Sequence, residues 1–236
     1  MTMLTDKTLY RTCVYPLAIF MAFSILLGVG GSSIEWDHPD AAWWQRAPEM
    51  LLYPVQTLVC GWWLWHVRHE IEWDWNAHAC GWGVLFGVVG IGLWLVPYFA
   101  GWIPNEGNGF RPERIFGPGT PATYAEYALR FLRAAVVVAL AEELFWRGFL
   151  MRWCVDRDFP QNVRIGTHSW LGYGVSTAAF MLIHNPVDYA GAFLYGSLAY
   201  LLVVKTRRLT PAIVMHAVAN AIMGYCAISF DMPQLW

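Results

Sequence analysis

The stretch Val136-Val137-Val138-Ala139-Leu140-Ala141-Glu142-Glu143-Leu144-Phe145-Trp146-Arg147 sets two adjacent carboxylates and a guanidinium inside an apolar run. The run extends over about residues 128–153. At about 1.5 Å of rise per residue, that is a helix long enough to cross a bilayer. A charged side chain at mid-bilayer costs at least about 2.5–3.5 kcal/mol. Glu142, Glu143 and Arg147 therefore need partners or a polar cavity within the membrane. Glu143 and Arg147 stand four residues apart on one helix face and can neutralise each other. Glu142 is turned about 100° away and cannot share that arginine as well.

The rest of the chain supplies the same solvent. Of 236 residues, 57% are hydrophobic and 14% are charged, against about 45–50% and about 25% in an ordinary soluble domain. Apolar stretches fall at about 12–30, 50–67, 80–100, 128–153, 170–184, 187–204 and 210–230. The expected fold is all-α: a polytopic transmembrane helix bundle of about seven spans, with six to eight as the range. This composition excludes a disordered chain and a disulfide-stapled secreted domain. The net charge of −2 gives no reason to expect a nucleic-acid partner. Cys13, Cys60, Cys80, Cys154 and Cys226 are dispersed, form no CxxC and read as small apolar fillers. Lys7 and Arg11 precede a run without a small-residue cleavage site, so that run reads as a retained first span.

The chain is expected to form a single integral membrane domain, 1–236. Three N-terminal helices occupy 1–100, a Gly/Pro-rich loop 101–123, and the helices bearing the chemistry 124–230. The loop is either a cap over a site or a linker. Gly83 and Gly87 form a GxxxG that reads as a helix-packing groove. Trp pairs and clusters near span ends, such as Trp43-Trp44 and Trp73-Asp74-Trp75, read as an interfacial belt. With seven spans and the N-terminus inside, the inner loops hold Lys7, Arg11, Arg68, Arg152, Arg157, Arg164, Lys205, Arg207 and Arg208. The outer loops hold Arg46, Arg111 and Arg114. That asymmetry predicts a cytoplasmic N-terminus.

Two more polar pairs share the four-residue spacing. Phe180-Met181-Leu182-Ile183-His184 ends the short fifth run, which Asn185-Pro186 terminates. His216-Ala217-Val218-Ala219-Asn220 places an imidazole and an amide on one face of the last run. His38, His69, His78 and His168 fall in loops without evident partners. Each motif alone has a structural explanation: a buried pair that fixes helix register, or interhelical hydrogen-bond glue. Together, two Glu, two His, an Asn and an Arg on three apolar helices need a shared polar cavity, and so mark a candidate functional site. Helix lengths place that site between mid-membrane and the cytoplasmic leaflet.

The three motifs, Glu142-Glu143-x-x-x-Arg147, Phe180-x-x-x-His184 and His216-x-x-x-Asn220, resemble the signature of the CPBP family, the CAAX-prenyl-protease and bacteriocin-processing intramembrane proteases. The resemblance covers about 124–230. The segment from Val96-Pro97-Tyr98 to Pro112 is similar to bacterial members associated with exosortase-type sorting systems. The resemblance implies a helical membrane enzyme with a conical cavity that hydrolyses a peptide bond near the C-terminus of its substrate. It implies a membrane-anchored protein or peptide as substrate, the lipid bilayer as surroundings, components of an exosortase-type system as partners, and the bacterial inner membrane as location. Bacteria generally lack CAAX prenylation, so another anchored peptide is the expected substrate.

Peptide hydrolysis needs an activated water, an oxyanion stabiliser and a leaving-group acid. Glu142 is the candidate base, His184 the group that orients the same water, and His216 with Asn220 the oxyanion donors. Arg147 would hold Glu143. No cofactor is favoured. The rival is zinc held by Glu142, His184 and His216, since one Glu and two His form a known ligand set with an open position. HExxH is absent: His69-Glu70-Ile71-Glu72-Trp73 lacks the second histidine. Two other functions compete, a proton-coupled transporter and a silent membrane adaptor. The absence of repeated halves speaks against the first, and the intact set of candidate groups against the second.

Overall fold

The computed structural model describes residues 6–33, 40–105, 107 and 109–236. His38 lies outside these. Among the described residues every regular element is helical. The main helices are α1 (residues 6–33), α2 (Glu49–Val67), α3 (Ala77–Phe99), α4 (residues 121–153), α5 (Trp170–Leu182), α6 (Tyr189–Thr206) and α7 (Thr210–Ser229). By length and composition, Asp6–Val29, Ala77–Phe99, Pro186–Thr206 and Thr210–Ser229 can cross a membrane, and α5 is a shorter apolar helix.

Helix starts follow local chemistry. Asn76 accepts from Ala79 N at 2.9 Å ahead of α3, and Ser169 accepts from Gly172 N at 2.7 Å ahead of α5. Thr120 does the same for α4, with Pro121 at the first helical position. For α7 the cap comes from another part of the chain. The Asp74 carboxylate takes Leu209 N, Thr210 N and the Thr210 hydroxyl at 3.0, 3.1 and 2.6 Å. That arrangement ties the loop before α3 to the start of α7.

α3 and α7 lie side by side and run in the same direction. Their contact is through glycine: a Cβ on Gly83 would strike the Pro211 carbonyl, and one on Gly87 would stand 2.7 Å from the Met215 carbonyl. The GxxxG reading as a packing groove thus has a physical partner in α7. α1, α2 and α4 are joined by a buried amide that the apolar pattern of α2 conceals. Gln56 donates to the Phe20 carbonyl at 2.7 Å and accepts from Arg133 Nε at 2.6 Å. Leu58, Trp62, Trp65, Val88 and Leu93 remain exposed, as expected of a surface facing lipid.

The two ends of the bundle differ. One carries Arg11–Glu70 and Arg152–Glu72 ion pairs at 3.3 and 3.2 Å, with Lys205, Arg207 and Arg208 nearby. At the other end, Arg111 bridges Asp231 at 2.8 Å and Asn105 donates to the Asp231 carbonyl at 2.8 Å. Phe110 stacks on Trp236 with ring centroids 5.9 Å apart. The segment 101–123 therefore clamps the residues after α7.

Candidate active site

α4 is the helix on which the site is built. Two wide, π-type turns, Arg133–Val138 and Leu144–Leu150, flank its segment Ala139–Glu143. Such turns are rare in helices and recur at functional sites. Glu143 and Arg147 are buried to 0% and 1% exposure, and Arg147 Nη1 meets Glu143 Oε1 at 3.0 Å. The guanidinium also lies 5.1 Å over the Phe180 ring and donates to the Gly196 carbonyl at 3.4 Å. Phe180 therefore serves the arginine as well as the core.

Glu143 Oε1 also meets His216 Nδ1 at 2.9 Å. A carboxylate only accepts, so Nδ1 carries the proton and Nε2 is left to the cavity side. Glu142 points elsewhere, and its Oε2 accepts from Trp146 Nε1 at 3.2 Å. His184 Nδ1 lies 2.7 Å from the Phe180 carbonyl. The carbonyl can only accept, so His184 too keeps Nε2 as a free lone pair when neutral. Asn220 Nδ2 donates to the Ala134 carbonyl at 2.8 Å, inside the first wide turn, and retains a second N–H.

These groups meet at one cavity of about 220 Å³, lined among others by Glu142, His184, His216 and Asn220. Glu143 and Arg147 sit behind its wall and do not line it. The cavity runs from Glu142 and His216 toward Asn185, Asp188, Gln234 and Trp236. It thus reaches the end of the bundle away from the basic loops. α5 ends at Leu182, and His184 lies in the turn beyond it, so the histidine belongs to the far end of that short helix.

The proposed zinc set fares differently from the polar cavity. Glu142, His184 and His216 line the same space, yet among the described residues no three His, Cys, Asp or Glu side chains are placed to hold a metal ion.

Residues 124–222 match the sequence model of the family described as type II CAAX prenyl endopeptidase Rce1-like. The matched segment spans 99 of the 236 residues. It begins near the start of α4 and ends within α7, so it holds Glu142, Glu143, Arg147, His184, His216 and Asn220. No curated protein and no solved structure matches the chain. The segment is thus similar to a CAAX peptidase family, and four helices of the chain are long and apolar enough to cross a membrane.

Several wall residues lie outside the motifs, and some outside the matched segment. Trp94 and Tyr98 of α3 both donate to Asp188 Oδ1 at 2.8 Å. Trp94 also packs edge-on against His184, ring centroids 5.1 Å apart. α3 thus supplies one side of the cavity. Tyr195 of α6 stands 5.8 Å from the His216 ring, and its buried hydroxyl has no hydrogen-bond partner among the described residues. Nothing in the apolar run 187–204 singles out Tyr195. The acid at Asp188, two residues beyond the helix-breaking Asn185-Pro186, is the available signal.

Proposed function

We propose that the chain is an intramembrane endopeptidase. It hydrolyses a peptide bond near the C-terminus of a membrane-anchored protein or peptide by a glutamate mechanism. The observation that carries this reading is the single cavity shared by Glu142, His184, His216 and Asn220, all within the segment that matches the Rce1-like family. Glu142 takes the proton of the attacking water with the oxygen not used by Trp146. His184 Nε2 holds the same water, its ring fixed by the Phe180 carbonyl.

The oxyanion is met from the α7 side. His216 donates there through Nε2 only as the imidazolium, its Nδ1–H being held by the Glu143 carboxylate at 2.9 Å. The second N–H of Asn220 is also free to donate. Tyr195 adds a buried hydroxyl without a hydrogen-bond partner among the described residues, a deficit of about 1–3 kcal/mol that is recovered when a substrate oxygen accepts from it. Tyr195→Phe should therefore lower kcat by about 10²-fold with KM little changed. A fall in affinity alone would make Tyr195 a packing residue.

In this reading α1–α7 are seven crossings of the bacterial inner membrane, with the N-terminus cytoplasmic. The cavity then reaches the outer side. The association with an exosortase-type sorting system belongs to the same proposal. The test is reconstitution of the purified chain in vesicles with a membrane-anchored peptide, metal content being measured on the active sample. Cleavage without stoichiometric metal supports the glutamate mechanism, and one zinc per active chain would overturn it. A pH-gradient-driven flux without cleavage would replace the peptidase by a transporter.

A further inference from the structure

A second cavity, of about 460 Å³, lies on the opposite end of the bundle from the active-site mouth, in the seam between α3 and the α6–α7 turn. Its rim carries Lys205, Arg208 and His78, and its inner wall is Trp82, Phe86 and Leu201. Lys205 is exposed and has no ion-pair partner among the described residues. Arg208 spends Nη1 on the Asp74 carbonyl at 2.9 Å and keeps its other donors. The nearby carboxylate of Asp74 does not line this space, being taken up by three donors at the start of α7. Among the described residues no acidic side chain lines the cavity. Trp82 is packed edge-on between Phe86 and His78, with centroids 6.1 and 6.3 Å away, so the apolar wall is preformed.

A cationic rim above an apolar wall, at the membrane end that bears most of the basic side chains, matches one chemistry. The rim fits a phosphate and the wall fits hydrocarbon attached to it. We propose that this cavity binds an anionic phospholipid, its headgroup on Lys205 and Arg208 and the upper part of its chains along Trp82, Phe86 and Leu201. Charge complementarity supplies the headgroup half. The α3 N-terminus at Asn76, which also lines the cavity, adds the positive end of a long helix. The apolar wall is why the ligand is a lipid and not a free anion. The site is independent of the peptidase reading, since it shares no residue with the catalytic cavity.

The experiment measures phospholipid bound to the full chain by native mass spectrometry, with the thermal midpoint followed in parallel. Phosphatidylglycerol is titrated against phosphatidylcholine. The wild type should retain phosphatidylglycerol, with a raised midpoint, and should not retain phosphatidylcholine. Lys205→Gln should weaken retention about fivefold, from about 1 kcal/mol per cation near a membrane surface. Leu201→Trp, which fills the apolar half and leaves both cations, should weaken it as well. Arg157→Gln, a basic residue of the same end outside the cavity, should change nothing. Equal retention of the two lipids would overturn the proposal, as would unchanged retention in both Lys205→Gln and Leu201→Trp. So would a midpoint shift reproduced by inorganic phosphate alone.

Discussion

Glu142→Gln should leave a folded chain that does not cleave. The amide keeps the shape of the carboxylate and can still accept from Trp146 Nε1, so the hydrogen bond at 3.2 Å survives. What is lost is the only basic oxygen that α4 presents to the cavity, since Glu143 lies behind the wall and is committed to Arg147 and His216. General-base catalysis contributes about 10²–10⁴-fold, so turnover should drop by at least that range. A thermal midpoint within a degree or two of wild type would show that the loss is chemical. Cleavage at the wild-type rate would remove Glu142 from the mechanism. His184→Gln should show a comparable loss, because the water would lose its second anchor.

The largest effect on stability should come from Arg147→Met. Methionine fits the apolar surroundings of the side chain and can lie on Phe180, but it strips the cation from Glu143. A carboxylate with 0% exposure would then face only His216. Breaking one member of such a buried pair costs about 3–5 kcal/mol, whereas replacing both by apolar groups is often close to neutral. The double variant Glu143→Leu/Arg147→Met should therefore recover much of the midpoint lost by the single one, while remaining inactive because His216 has lost its Nδ1 partner. Thermal unfolding in detergent, read for all three proteins, checks both statements. An undiminished midpoint in Arg147→Met would mean that His216 alone compensates Glu143.

The site was legible in sequence where its chemistry is local. The spacing of four residues between Glu143 and Arg147 is a one-turn contact on a single helix, and the structure shows it at 3.0 Å. Phe180 and His184 are likewise joined across one turn, though by a backbone carbonyl that spacing alone does not specify. The His216–Glu143 contact joins α7 to α4, and no pattern within either helix carries it. The spacing from His216 presents Asn220 as an oxyanion donor. The structure also gives it the Ala134 carbonyl, a group left available in a wide turn that residue identities do not announce.

The fold was legible to a similar depth. Apolar runs located the helices because the period and length of hydrophobicity mark them. They concealed Gln56, whose amide is buried between α1 and α4 and has no signature beyond being polar. Trp94 and Tyr98 were equally silent, since both are ordinary residues of an apolar helix until Asp188 arrives from a distant turn.

The glycine contact between α3 and α7 limits how a membrane-borne substrate can arrive. Backbones that approach closely enough for a single added carbon at Gly83 to strike Pro211 leave no gap for a third helix. A peptide embedded in the bilayer cannot wedge those two helices apart without giving up the seam that holds His216 beside the α3 wall. That flank is a closed door, and passage from the lipid to Glu142 has to lie along the other sides of the bundle.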